Sequence, residues 1–143
     1  MDNLKNKKYR GLLLILAVVF LAVGGAVFFG YQNIKDSVAK IAVSPPDYDF
    51  GQIKNRDLIQ SRDFEVKNIG DDLLKIQGVL TSCGCTKAAI DKLVLSPGET
   101  AKLNVNFDPQ YHADAKGEII REIYIESNDP AGETVIKIKA FLP

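Results

Sequence analysis

The chain has 143 residues with an ordinary globular share of hydrophobic and charged side chains, which excludes extended disorder. Its zero formal net charge hides an asymmetry: residues 1–30 carry four basic side chains against one acidic, and the remainder carries fourteen against seventeen. A mildly acidic domain lacks the basic footprint that nucleic-acid binding needs, so that class is set aside.

Residues 1–10 form a basic N-terminus with Lys5, Lys7, Lys8 and Arg10. Gly11 to Gly30 follow without a charge, as GLLLILAVVFLAVGGAVFFG. As a helix these residues would span about 30 Å, the hydrocarbon thickness of a bilayer. Basic residues ahead of such a segment stay in the cytoplasm. The expectation is therefore a transmembrane signal anchor over 11–30, with the bulk of the chain in the periplasm or on the cell surface. The alternative is a cleaved signal peptide, with Leu12–Leu21 as its apolar region and Ala22-Val23-Gly24 as its cleavage site. The apolar run continues through Val27, Phe28 and Phe29, where a signal peptide turns polar, and this favours the anchor. Both readings export the domain. Residues 31–46 are expected to form a stalk. Tyr31, Ile34, Val38 and Ile41 recur at helical spacing, and Ser44-Pro45-Pro46 ends the pattern because proline lacks an N–H and restricts the residue before it.

From Asp47 to Pro143 the hydrophobic period changes to two. Phe64 and Val66 alternate with Asp63, Glu65 and Lys67, as do Leu103, Val105 and Phe107 with polar neighbours. Ile136, Ile138 and Ala140 continue the pattern. This is the signature of half-buried antiparallel strands. Asn68–Asp72 and Ser127–Gly132 are polar breaks, and Ser96-Pro97-Gly98-Glu99 fits a type II turn. The divisions give about seven strands, near 47–53, 62–68, 73–80, 86–95 (with a division allowed inside it), 101–107, 118–127 and 133–142. The expected fold is all-β, an immunoglobulin-like antiparallel sandwich. The Cys…Trp…Cys core of antibody domains is excluded, because tryptophan is absent and the two cysteines are one residue apart.

Several short stretches together carry a resemblance. They are Phe50-Gly51-x-Ile53, Phe64…Asn68-x-Gly70, Leu74-x-Ile76…Ser82-Cys83-Gly84-Cys85-Thr86, Leu95-x-Pro97-Gly98-Glu99, Val105-x-Phe107-x-Pro109 and Ile125-x-Ser127-Asn128-Asp129-Pro130. Their order resembles the exported bacterial family named domain of unknown function 1573, over nearly all of 47–143. Ser82 to Thr86 is the most specific part. The resemblance implies an immunoglobulin-like fold related to the major sperm protein and Hydin-type domains, and it implies no activity.

Cys83-Gly84-Cys85 holds every cysteine of the chain. Alternate residues of an extended strand sit near the upper Cα separation for a disulfide, about 6.8 Å. Gly84 is expected to relieve this by adopting positive φ and bending the backbone. Such a disulfide closes a tiny loop, so it staples weakly and is easily reduced. A redox pair is one use, although no thioredoxin-like Cys-x-x-Cys accompanies it. A clamp for a soft ion such as copper, or half of a zinc site, is another. The one histidine, His112, is the candidate third ligand. It is expected at the same end of the sandwich as the cysteines, the end away from the stalk, unless an extra strand between 86 and 95 reverses the parity. The bland alternative is a small, semi-buried pair or an ordinary disulfide with no further role.

Other chemistry lacks its parts. Asp71-Asp72 lies in a turn and Asp47 and Asp49 alternate outward from an edge strand, with no EF-hand spacing. There is no phosphate-binding loop and no Gly-x-Ser-x-Gly elbow. The chain is accordingly expected not to be an enzyme and to need no cofactor, with copper or zinc as the only metal candidates. Its expected role is a membrane-anchored, protein-binding or structural module with an unspecified protein partner. The alternative role is a thiol site at Cys83 and Cys85 that binds a soft metal or exchanges disulfides.

Overall fold

The structure is a computed structural model and describes residues 18–20 and 37–143. Residues 18–20 are helical; the rest of the expected membrane span and residues 31–36 of the expected stalk lie outside the described residues. Among the described residues no helix is long and apolar enough to cross a membrane. Ser37–Pro143 forms a compact unit of its own.

That unit contains nine strands: β1 Ile41–Ser44, β2 Asp47–Gln52, β3 Gln60–Asn68, β4 Leu74–Thr81, β5 Thr86–Ile90, β6 Val94–Leu95, β7 Thr100–Phe107, β8 Gly117–Ser127 and β9 Thr134–Leu142. They build two sheets, ordered β1-β3-β7-β5 and β2-β9-β8-β4-β6. Alternation in the sequence becomes alternation in burial. Phe64 and Val66 on β3, Leu103, Val105 and Phe107 on β7, and Ile136, Ile138 and Ala140 on β9 all point into one core. Ile123 and Ile125 on β8, beside β9 in the five-stranded sheet, join them and are fully buried. Each such aliphatic side chain contributes about 1.5–3 kcal/mol on leaving water. The expected turn at Ser96–Glu99 is present: Glu99 N donates to Ser96 O at 2.9 Å, and Gly98 has φ +80°.

The architecture corrects two expectations and decides a third, open point. First, the sandwich begins before Asp47. Ile41–Ser44 is a strand, in register with β3 from Ile41↔Asn68 to Ser44↔Glu65. The helical spacing of Val38 and Ile41 is overridden, because Ala39 is buried in the core and the Ile41 N–H is taken by Asp129 Oδ2 at 2.8 Å. Second, one strand pair is parallel. After β1 the chain passes Pro45 and Pro46 into the other sheet without reversing, so β2 runs alongside β9 in the same direction. Third, the expected strand over 86–95 divides into β5 and β6, which brings the count to nine. The division leaves the parity unchanged. β5 is antiparallel to β7 and β6 is antiparallel to β4, so both halves make one traverse that changes sheets midway.

The sandwich therefore has two distinct ends. Ile41, Asn68, Leu74 and Leu95 pair at the end where residues 37–40 enter. Gln60, Phe107 and Thr86 pair at the opposite end, beside the cysteines.

Besides Asp129, the buried Asn68 side chain knits the entry end. Asn68 Nδ2 donates to Asp72 O at 2.7 Å and to Leu95 O at 3.0 Å, and its Oδ1 accepts from Gly70 N at 2.9 Å. A fully buried amide with all three bonds made ties the β3–β4 turn to β6.

Candidate functional site

Cys83 and Cys85 form a disulfide in the connection from β4 to β5. The chain leaves the five-stranded sheet at Thr81 and must enter the four-stranded one at Thr86. It crosses by a tight turn in which Thr86 N donates to Cys83 O at 3.0 Å. This turn brings the two Cα atoms to 5.2 Å, well inside the disulfide range. Thr81 Oγ1 braces the turn through Cys83 O at 3.2 Å and Thr86 O at 3.1 Å. Ser82 extends the β4–β8 ladder, exchanging bonds with Glu122 through both its N–H and its Oγ.

Gly84 does not act as expected. Its φ is not among the positive values, so the bend needs no left-handed residue. Glycine instead makes room for Tyr111, whose ring lies against the turn. A Cβ on Gly84 would stand 2.5 Å from the Tyr111 hydroxyl. The glycine serves close approach rather than backbone twist.

The two sulfurs have different surroundings. Cys85 is only 2% exposed and belongs to the hydrophobic core, while Cys83 is half-buried and faces a shallow surface depression. His112 Nε2 lies 3.6 Å from Cys83 Sγ. Arg121 Nε donates to Cys85 Sγ at 3.1 Å, and Thr86 Oγ1 is 3.7 Å from the same sulfur. The ligand atoms of Cys83, Cys85 and His112 all lie within 4.8 Å of one another. His112 is therefore at the cysteine end, as expected.

The loop that carries His112 is held from outside. Arg56 Nη2 donates to Pro109 O and to His112 O, each at 3.1 Å, and Ala115 N donates to His112 O at 3.0 Å. Asp108 N donates to Cys85 O at 2.8 Å and ties this loop to the turn. The Tyr111 and His112 rings meet edge to face, with centroids 5.0 Å apart.

Beside the depression, Glu122 accepts from Tyr124 Oη at 2.6 Å and lies 3.5 Å from Lys137 Nζ. The Tyr124 hydrogen bond, and next the Lys137 ammonium, hold the Glu122 carboxyl below its ordinary value despite some desolvation. Tyr124 is raised by the same bond.

Arg121, Tyr111 and Arg56 were not legible as site residues from motif spacing. Arg121 did leave a signal. Ile119, Arg121, Ile123 and Ile125 share one face of β8, so a guanidinium stands in phase with two fully buried isoleucines. A charge on the inward face of a strand requires partners, and these are Cys85 Sγ and the Ile120 carbonyl, to which Arg121 Nη1 donates at 2.8 Å. The acidic pairs carry no site: Asp47 and Asp49 point outward from edge strand β2, as expected, and Asp71 and Asp72 are exposed in the β3–β4 turn.

No curated protein matches the chain. Solved structures do. A protein of unknown function from Porphyromonas gingivalis W83 is 27% identical, with a TM-score of 0.67 over 78% of this chain and 51% of that one. This chain thus spans about half the length of that relative. The ASH/PapD-like domain 7 of human CEP192 is 10% identical, with a TM-score of 0.56 over 76% of this chain and 89% of that domain. The YadV chaperone is 14% identical, with a TM-score of 0.52 over 71% of this chain and 51% of its own. The last two likenesses show the fold alone, an immunoglobulin-like sandwich of PapD-like type. The family described as "Protein of unknown function (DUF1573)" matches residues 41–142, from the first residue of β1 through both cysteines and His112 to the end of β9, and the chain belongs to that family.

Proposed function

We propose that this chain is a membrane-anchored, extracytoplasmic immunoglobulin-like domain whose Cys83–Cys85 disulfide exchanges with a partner thiol. The asymmetry of the two sulfurs carries the reading. Cys83 is the sulfur an incoming thiolate can reach, and Cys85 is buried against the Arg121 guanidinium. Export rests on the charge-free segment 11–30 behind four basic residues.

The exchange balances as follows. A thiolate of the partner attacks Cys83 Sγ, the Cys83–Cys85 bond breaks, and its electron pair goes to Cys85 Sγ. The Arg121 Nε–H stabilises that leaving thiolate; nearby cations lower thiol pKa values and make better leaving groups. A second thiol of the partner then displaces Cys83 from the mixed disulfide. His112 Nε2 stands at proton-transfer distance from the departing sulfur. The partner dithiol ends oxidised and the domain ends as a dithiol, with two electrons transferred. No turnover is implied, because each domain carries one disulfide.

A purely structural staple explains less. Closing a loop of about three residues contributes only about 1–2 kcal/mol by chain entropy, against about 4.7 kcal/mol for a loop of about 100 residues. A binding module without thiol chemistry would give no reason for an arginine and a histidine to converge on the sulfurs.

The test is reduction of the full chain by dithiothreitol without denaturant. Two alkylatable thiols per chain are expected while near-ultraviolet circular dichroism stays native, with stability lower by about 1–2 kcal/mol. Thiols that emerge only together with unfolding would overturn the proposal.

A further inference from the structure

We propose that the reduced site binds one Cu(I) ion through Cys83 Sγ, Cys85 Sγ and His112 Nε2. The inference rests on the preceding reading in one respect, that the disulfide opens in the folded domain.

Three observations carry it. The first is convergence: the three donor atoms lie within 4.8 Å of one another, although they come from two loops 29 residues apart in sequence. The second is preorganisation. The His112 backbone is fixed by Arg56 and Ala115, and the turn holds the cysteine Cα atoms at 5.2 Å, so only the sulfurs need to move. Two thiolates and an imidazole are a soft donor set that suits Cu(I) or Zn(II).

The third observation is charge, and it separates those two metals. Two thiolates and a neutral imidazole carry two negative charges. Cu(I) leaves one, and the Arg121 guanidinium, 3.1 Å from Cys85 Sγ, offsets it. Zn(II) would leave none, and Arg121 would then be an uncompensated cation at the metal. Zn(II) also takes four ligands. Among the described residues no fourth histidine, cysteine or carboxylate belongs to the cluster. The nearby Glu122 carboxylate is engaged by Tyr124 and Lys137.

The balance is simple. A thiol reductant supplies two electrons and two protons to open the disulfide. Cu(I) then displaces both thiol protons and forms the bis-thiolate complex. In this form the copper competes with reoxidation for the same two sulfurs, so oxidation of the dithiol to the disulfide would release the ion.

The experiment uses the full chain, reduced with dithiothreitol, desalted without oxygen and counted for thiols before any metal is added. Cu(I) is then titrated in competition with bicinchoninate. One Cu(I) per chain is expected, lost in Cys83→Ser and weakened at least about tenfold in His112→Ala, a substitution at an exposed position. Arg121→Met should weaken Cu(I) binding, and Zn(II) added alone should fail to displace the bound Cu(I). A chain with two counted thiols that binds no Cu(I) would overturn this inference and leave disulfide exchange standing. Unchanged affinity in His112→Ala would overturn the three-ligand site. A folded chain in which the thiols never appear would overturn both.

Discussion

The two ends of the sandwich solve the same problem differently. At the entry end, Asn68 places an amide among fully buried side chains and all three of its bonds go to backbone groups of the same turn and of β6. At the far end, Arg121 likewise points inward in phase with Ile123 and Ile125, yet besides the Ile120 carbonyl it bonds a sulfur. The first arrangement closes on itself and leaves nothing to react. The second ends in a bond that can be broken from outside, since Cys83 and His112 face solvent in part. A buried polar group whose partners are all backbone is a structural knot. One whose partners include a redox-active atom is a candidate for chemistry.

That contrast sets the size of the expected effects. Asn68→Ala should cost the most, about 3 kcal/mol, because it strands the Leu95 carbonyl and the Gly70 N–H in the interior. Denaturant unfolding measures this, and a loss under about 1 kcal/mol would dissolve the distinction between the ends. Arg121→Met should change reactivity more than stability. The side chain keeps its length, but the Cys85 thiol loses its cationic neighbour. In a Cys83→Ser background, the pH profile of Cys85 alkylation should move to higher pH, and exchange in the otherwise native chain should slow about tenfold. A profile that stays in place would make Arg121 merely a packing residue.

The smallest effect belongs to Glu122, on the rim of the depression. Its folded carboxyl lies below the ordinary value of 4.5, chiefly through the Tyr124 hydrogen bond and next through Lys137. A depressed carboxyl contributes stability above its unfolded pKa and loses it as pH falls through the folded value. The stability difference between the native chain and Glu122→Gln should therefore be present at neutral pH and vanish as the solution is acidified below 4.5. The network is solvent-exposed, so added salt should shrink the difference as well.

Much of the fold was written in the period-two pattern. Phe64, Val66, Leu103, Val105, Phe107, Ile136, Ile138 and Ala140 were legible as core because half-buried strands must alternate. β1 was not legible. Its four residues carry too little alternation to outweigh the helical spacing of Val38 and Ile41, and its partners, β3 and Asp129, are remote in sequence. The parallel β2–β9 pair was hidden for a similar reason, since period-two alternation does not encode strand direction. At the site, Cys83, Cys85 and His112 were legible as rare, chemically distinctive residues. Gly84 was legible as distinctive but for the wrong cause, because the Tyr111 ring it makes room for arrives from another loop. Arg121 was in plain view as a charge in phase with a buried face, a pattern as informative as any motif.

The central claim is directional: the outer sulfur is attacked and the inner one leaves. The direct measurement is to expose the oxidised chain briefly to an excess of glutathione, quench with an alkylating agent, and map both cysteines by mass spectrometry. The account predicts glutathione on Cys83 and the alkyl group on Cys85. The reverse assignment, or an even mixture of the two, would contradict it.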